Sequence, residues 1–138
     1  MNRRRTLKAA VAGAAAAIAA PAVAYAAGNP DARFIADCDE FVALQQAELR
    51  AFEAIKDDDE RNIFLTKPRA RQTALIDSIW ATDQINTPEG ARAAARVILA
   101  WSDRTSDGKF MPDNLEDAVA LTLASYLTGG VDPMAGIV

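Results

Sequence analysis

The sequence contains no histidine, and this absence excludes several classes of chemistry. Histidine is the side chain that most often transfers protons near neutral pH, and it is the most common metal ligand. Without it, the chain cannot assemble a Ser-His-Asp or Cys-His catalytic group by itself. No other residue pattern indicates a catalytic site, so the sequence assigns no catalytic residue and no cofactor.

Cysteine is nearly as scarce, since Cys38 is the only one in the chain. A single cysteine cannot form an internal disulfide, so the stability of the fold must come from packing. Cys38 lies on the apolar stripe of the first predicted helix. The neighbouring acids Asp37, Asp39 and Glu40 would raise the pKa of its thiol. Core packing is therefore favoured over a nucleophile or an intermolecular bridge.

Residues 1–26 have the three parts of an export signal: a basic start, an uncharged and alanine-rich middle, and small residues at its end. Small residues at Ala24 and Ala26 suit cleavage, and we predict that the chain is cut after Ala26. The remaining residues 27–138 then form one small domain.

The basic start resembles the bacterial twin-arginine signal, whose pattern is Ser/Thr-Arg-Arg-x-Phe-Leu-Lys. Four residues fall at the expected positions: Arg3, Arg4, Leu7 and Lys8. Asn2 replaces the hydroxyl residue and Thr6 replaces the phenylalanine. The resemblance implies recognition by the twin-arginine export machinery and a periplasmic or secreted location. The alternative is an uncleaved membrane anchor through residues 9–27, although alanine gains little free energy in lipid.

The charge of residues 27–138 is strongly negative. Removing the four basic residues of the leader changes the formal charge from −4 to −8. Such a charge repels phosphate, which disfavours binding to nucleic acid and docking on an anionic membrane. We also expect no part of residues 27–138 to be embedded in a membrane.

The apolar pattern of residues 27–138 predicts an all-α fold. Apolar residues recur at steps of three and four from Phe34 to Ile55, as in an amphipathic helix. The stretch Asn29-Pro30-Asp31 has the cap, proline and acid of a helix start. Four acids at 57–60 would oppose the dipole at a helix C-terminus, so the first helix is predicted to end there in a solvated turn. A cation site is the alternative interpretation of these acids.

Three further helices follow in the sequence. Their predicted starts and the final stop lie at Lys67-Pro68, Thr87-Pro88-Glu89, Asp113-Asn114 and Gly129-Gly130. The apolar stripe of the fourth helix consists of Leu115, Ala118, Val119, Thr122, Leu123, Tyr126 and Leu127. The predicted architecture is an antiparallel helical hairpin or bundle of about four helices, with a loose tail from about residue 131.

One loop resembles the start of an EF-hand calcium site. Asp103, Thr105 and Asp107 occupy ligand positions one, three and five, and Gly108 lies at the turn. The twelfth position holds Asn114 where a bidentate glutamate is needed. An ordinary helix connection is therefore favoured over this calcium candidate.

Trp80 and Trp101 lie on the stripes predicted to be buried. Core packing is favoured for both, with the anchoring of a protein partner as the alternative, because tryptophan is enriched in binding hot spots.

The start Thr87-Pro88-Glu89-Gly90 and the alanine-rich helix behind it resemble those of a loose group of short all-helical bacterial proteins of uncharacterised function. The resemblance implies a helical fold and supplies no catalytic residue. We therefore expect an exported protein that binds another protein or forms a homo-oligomer through its first helix, which is predicted to be longer than the others. The alternative is a small ligand-binding domain, or a histidine-independent enzyme, that folds before export.

Overall fold

The computed structural model describes residues 28–137, and most of them lie in four α-helices. The helices are α1 (Ala32–Ala54), α2 (Asp58–Trp80), α3 (Pro88–Trp101) and α4 (Leu115–Leu127). Residues 28–137 contain no strand, and the only sheet-like pairing among them is an isolated bridge between Arg104 and Phe110. The prediction of an all-α fold is confirmed. The predicted export signal, cleavage site and anchor alternative lie outside the described residues.

The helices pack as a row in the spatial order α2, α1, α3, α4. Helix α1 contacts both α2 and α3, and α4 packs on the other side of α3. Helices α1 and α3 therefore form the centre of the bundle, and α2 and α4 are its outer helices. The expectation of a first helix longer than its partners is wrong, since α1 and α2 both have 23 residues.

Helix α1 ends at Ala54, near the predicted end before the acids. Helix α2 begins nine residues before the predicted start at Lys67, so the assignment of the acids at 58–60 to a solvated turn is wrong. Asp57 is its N-cap, and the Asp57 carboxylate accepts a hydrogen bond from the Glu60 N–H at 2.8 Å. The acids of residues 58–60 occupy the first turn, where negative charge stabilises a helix. Acids that would destabilise the C-terminus of α1 thus stabilise the N-terminus of α2. Pro68, which was predicted to lie at a helix start, lies inside α2.

The core lies along both faces of α1 and between α3 and α4. Its largest fully buried side chains are Phe41, Leu65, Leu75, Leu99, Met134 and Cys38. Burial raises the pKa of the Cys38 thiol to about 12, and the charge of Asp39 adds to this effect. The prediction that Cys38 packs in the core is confirmed.

Helix α4 ends just before the glycine pair that was predicted to stop it. Gly129 and Gly130 have φ values of 65° and 78°, a region that favours glycine. The Gly130 N–H donates to the Ser125 carbonyl at 2.8 Å, and the Gly129 N–H donates to the Tyr126 carbonyl at 3.1 Å. These two bonds are those of a Schellman motif, which satisfies carbonyl groups at a helix end.

The tail after α4 returns to the bundle. Asp132 pairs with Arg104 through two hydrogen bonds of 2.5 and 2.9 Å, and Met134 is buried against Val42 and Ala100. The Gln46 amide also donates to the Pro133 carbonyl at 2.7 Å. The sequence offered no sign of these long-range contacts.

Candidate functional site

Residues at the start of α3 bind the carboxylate of Asp31. Asp31 is buried, and its oxygens accept hydrogen bonds from the N–H groups of Asn86 and Thr87, from the Asn86 side-chain amide and from the Thr87 hydroxyl, at 2.7 to 3.1 Å. The Thr87 hydroxyl bond is the main cause that lowers the pKa of Asp31. Burial opposes it, and the bonds from Asn86 and from the Thr87 N–H lower the pKa further. These hydrogen bonds join the start of α1 to the start of α3.

The same cluster explains Gly90. The Thr87 hydroxyl caps α3 by accepting a hydrogen bond from the Gly90 N–H at 3.1 Å. A Cβ atom at position 90 would overlap the Asp31 carboxylate and would lie 2.9 Å from the Ile85 side chain. The Thr-Pro-x-Gly pattern therefore has a structural cause: the threonine caps the helix, Pro88 starts it, and glycine admits the carboxylate.

The calcium candidate lies in a short hairpin between α3 and α4. The Thr105 N–H donates to the Lys109 carbonyl at 2.8 Å, and the Gly108 N–H donates to the Thr105 carbonyl at 2.9 Å. The Thr105 hydroxyl and the Lys109 ammonium both contact the Asp107 carboxylate, and these contacts lower its pKa. Within residues 28–137, no group of three or more His, Cys, Asp or Glu residues is arranged to hold a metal ion.

Both tryptophans are exposed, so the prediction of core packing is wrong for each. Trp80, at the end of α2, is 86% exposed. Trp101 is 54% exposed, although one face of its ring stacks on Phe41 with a centroid distance of 5.1 Å.

The largest departure from the sequence prediction is the orientation of α4. The helix buries Leu121 and Ala124 against α3. The predicted stripe lies mainly on the opposite side. Four large side chains of that side are between 56% and 81% exposed, and we call them the α4 outer face: Leu115, Val119, Leu123 and Tyr126.

The α4 outer face is a continuous strip. Its members follow one another at steps of four, four and three residues, which places them on one side of a helix. Helix α4 has no basic residue, and its only acids, Glu116 and Asp117, lie in the first turn. The centre and C-terminal end of the strip are therefore uncharged.

Two concave features lie beside α4. The first is a notch of about 240 Å³ whose lining includes the apolar Ile98, Trp101 and Met111 and the acidic Asp113 and Asp117. The second is an open cleft of about 550 Å³ at the other end of the helix. Its lining includes Arg92, Arg96, Tyr126 and Leu127. One end of the α4 outer face is thus bordered by carboxylates and the other by arginines.

The sequence contains one signal for this surface. Helix α4 is apolar on both sides, with Leu121 and Ala124 on one and Leu115 and Val119 on the other. A helix that is apolar all round needs cover on both sides or leaves one side exposed.

No helix within residues 28–137 is long and apolar enough to cross a membrane. No protein-family model matches this chain, and neither the curated proteins nor the solved structures contain a significant match to it.

Proposed function

We propose that the chain is an exported helical protein that binds another protein chain through the α4 outer face. The observation that carries this proposal is the exposure of Leu115, Val119, Leu123 and Tyr126 along one side of an outer helix. A row of large apolar side chains in contact with water is unfavourable, and its burial against a second chain would remove that cost. Apolar helix faces with this spacing are a common form of protein contact.

The charges around α4 favour a protein over a membrane or a nucleic acid. Helices that lie on membranes usually carry Lys or Arg on their polar side, and α4 has neither. The start of the helix carries Asp113, Glu116 and Asp117, which would be repelled by phosphate groups. A partner protein can meet an apolar strip without this repulsion.

Export is the second element of the proposal, and it rests on the resemblance of residues 1–26 to a twin-arginine signal. That route carries folded proteins, so the bundle would leave the cytoplasm with the α4 outer face already formed. The location is then periplasmic or secreted, or membrane-attached if residues 9–27 are retained. Mass spectrometry of the protein recovered from the periplasm tests this element, because a chain still beginning at Met1 would contradict cleavage.

The binding element is tested by pull-down from a periplasmic extract with three baits. The first is the unchanged chain, and the second carries Val119→Glu in the centre of the α4 outer face. The third carries Ile63→Glu, a matched control on α2 at a side chain that is 78% exposed. We expect the unchanged bait and the Ile63→Glu bait to capture the same partner chain, and the Val119→Glu bait to lose it. That partner chain can be a second copy of the protein itself. Equal capture by all three baits would overturn the proposal, and so would capture by none together with a protein that stays monomeric up to about 1 mM.

A further inference from the structure

We infer that the chain covering the α4 outer face is a second copy of this protein, packed with its α4 antiparallel to the first. This inference rests on the proposed function and specifies the partner. The arrangement is a symmetric dimer in which the same strip is buried on both copies.

The distribution of charge selects the antiparallel orientation. Asp113, Glu116 and Asp117 lie at the N-terminal end of α4, and no charged residue occurs between residues 118 and 131. A parallel pair would place the acids of both copies together. An antiparallel pair separates the two acidic ends by about 17 Å, the rise from Leu115 to Tyr126, which exceeds the screening length of about 8 Å at physiological ionic strength.

The two ends of the strip are also complementary to each other. Glu116 and Leu127 are eleven residues apart, so they lie on the same edge of α4, about three turns apart. Leu127 lines the cleft that contains Arg92 and Arg96. The two-fold axis of such a dimer lies between the two copies of α4, perpendicular to them at mid-helix, and it keeps each edge on the same side of the dimer. It therefore brings Glu116 of one copy towards the arginines of the other, and it does so twice.

Arg92 is the arginine available for this contact. Its own ion pair with Glu89 is 3.7 Å long and is exposed on both sides, so the pair contributes little to the stability of the monomer. Arg96, in contrast, already forms a 2.5 Å hydrogen bond with Asp39 on α1. A charge exchange between Glu116 and Arg92 can thus probe the dimer without breaking the contact between α1 and α3.

The size of the strip sets the expected affinity. Helix α4 has 13 residues and is about 20 Å long, and one such helix offers less than the roughly 800 Å² per partner of a standard stable interface. The dimer is therefore a weak one, with a dissociation constant in the range of about 10 μM to 1 mM.

Analytical ultracentrifugation of the protein as recovered from cells, over a concentration series up to about 1 mM, tests the inference. We expect a reversible monomer–dimer equilibrium. Val119→Glu places a carboxylate in the apolar centre and should weaken dimerisation at least about 100-fold, whereas the control Ile63→Glu should leave it unchanged. Circular dichroism is expected to show the same helix content for all three proteins, because both positions are exposed.

The charge exchange then tests the orientation. Glu116→Arg and Arg92→Glu should each raise the dissociation constant about tenfold, since each reverses a contact that occurs twice. The double variant should return it to within about twofold of the original value. No recovery in the double variant would overturn the antiparallel arrangement, and a dimer that persists in Val119→Glu would overturn the assigned interface.

Failure of this inference is distinguishable from failure of the proposed function. A protein that stays monomeric up to about 1 mM overturns the dimer. If the unchanged bait still captures a different chain that the Val119→Glu bait loses, binding through the α4 outer face stands. If the protein stays monomeric and neither bait captures a chain, both proposals fall.

Discussion

The two outer helices of the row differ in how their exposed sides are built. Helix α2 is held to α1 by buried Leu65 and Leu75 and, at its edges, by polar contacts that include the pairs Arg69–Glu48 and Arg71–Glu40. Its exposed side is polar apart from isolated residues such as Ile63 and Trp80. Helix α4 packs on α3 by an apolar side, and no ion pair among the described residues joins the two helices.

The difference between α2 and α4 shows which outer helix already has a surface suited to water. Polar groups on the exposed side of α2 are solvated, so nothing further needs to cover it. The exposed side of α4 repeats the composition of a packed side, and this is the basis for assigning the contact surface to α4. If this contrast is correct, substitutions at the buried and exposed positions of the bundle should differ in their effect on stability.

The largest effect on stability is expected from truncating a buried leucine of α2. An exposed leucine of α4 is its control. Leu75 packs against Phe41 and Leu44, so Leu75→Ala leaves a cavity and should lower the free energy of unfolding by about 2–5 kcal/mol. Leu123→Ala removes an exposed side chain and should change it by less than about 0.5 kcal/mol. Urea denaturation measures both values. Similar losses for the two variants would contradict the assignment of Leu123 to the exposed side.

The second largest effect on stability is expected at the contact between α1 and α3, the two central helices. An alanine in place of glycine normally stabilises a helix by about 1 kcal/mol, but Gly90→Ala should destabilise the protein by about 1–3 kcal/mol because the new methyl group overlaps the Asp31 carboxylate. Ala91→Gly is the control at the next position and should lose about 1 kcal/mol by the ordinary preference. A gain in stability for Gly90→Ala, measured by urea denaturation, would show that Asp31 does not approach α3 so closely.

A smaller effect separates the two tryptophans. Trp101→Ala removes the stacking on Phe41, which is worth about 0.5–1.5 kcal/mol in addition to the contact area that is lost. Trp80→Ala should change the free energy of unfolding by less than about 0.5 kcal/mol, because its ring is almost fully exposed at the end of α2. Thermal unfolding of both variants makes the comparison, and an equal loss would place Trp80 in a packed environment.

The smallest effect appears only in acid. Hydrogen bonds lower the pKa of Asp31, and Arg104 together with the Met134 N–H outweighs burial and lowers the pKa of Asp132. A carboxyl with a lowered pKa in the folded state stabilises the protein above its unfolded pKa of about 3.9, and that contribution is lost as the pH falls through the folded value.

Asp31→Asn separates the Asp31 contribution from that of Asp132. The variant is expected to be less stable at neutral pH and to lose less additional stability than the unchanged protein as the pH falls below about 4. Thermal unfolding at a series of pH values checks both results. An unchanged dependence on pH in the variant would mean that the Asp31 carboxylate does not couple protonation to folding.

Local signals in the sequence predicted the helix ends that depend only on local bonds. Thr87 caps α3 as its pattern indicated, and the glycines after Leu127 end α4 because few other residues adopt their positive φ values. The start of α2 was missed because acids at 57–60 are compatible with a turn and equally with a first helical turn. Lys67-Pro68 has the pattern of a helix start, although α2 continues through it and buries Leu65 on one side and Leu75 on the other.

The surface of α4 is the clearest case of a feature that the sequence could not give. Periodicity identifies a helix, but Leu115 and Val119 on one side are as apolar as Leu121 and Ala124 on the other, so it cannot say which side is buried. The same limit explains Trp80, whose position on an apolar stripe predicted burial although only the neighbouring Ile79 packs against the core and Trp80 faces the solvent.

The sequence by itself determined the all-α class, the absence of histidine chemistry, the starts of α3 and α4 and the fate of Cys38, because these follow from composition and from bonds between near neighbours in the chain. Only the tertiary structure decided that α1 lies between α2 and α3, that Asp31 binds the start of α3, and that α4 turns its apolar outer face to the solvent. These features depend on which surfaces remain after the other helices have packed, and residues far apart in the chain compete for the same cover.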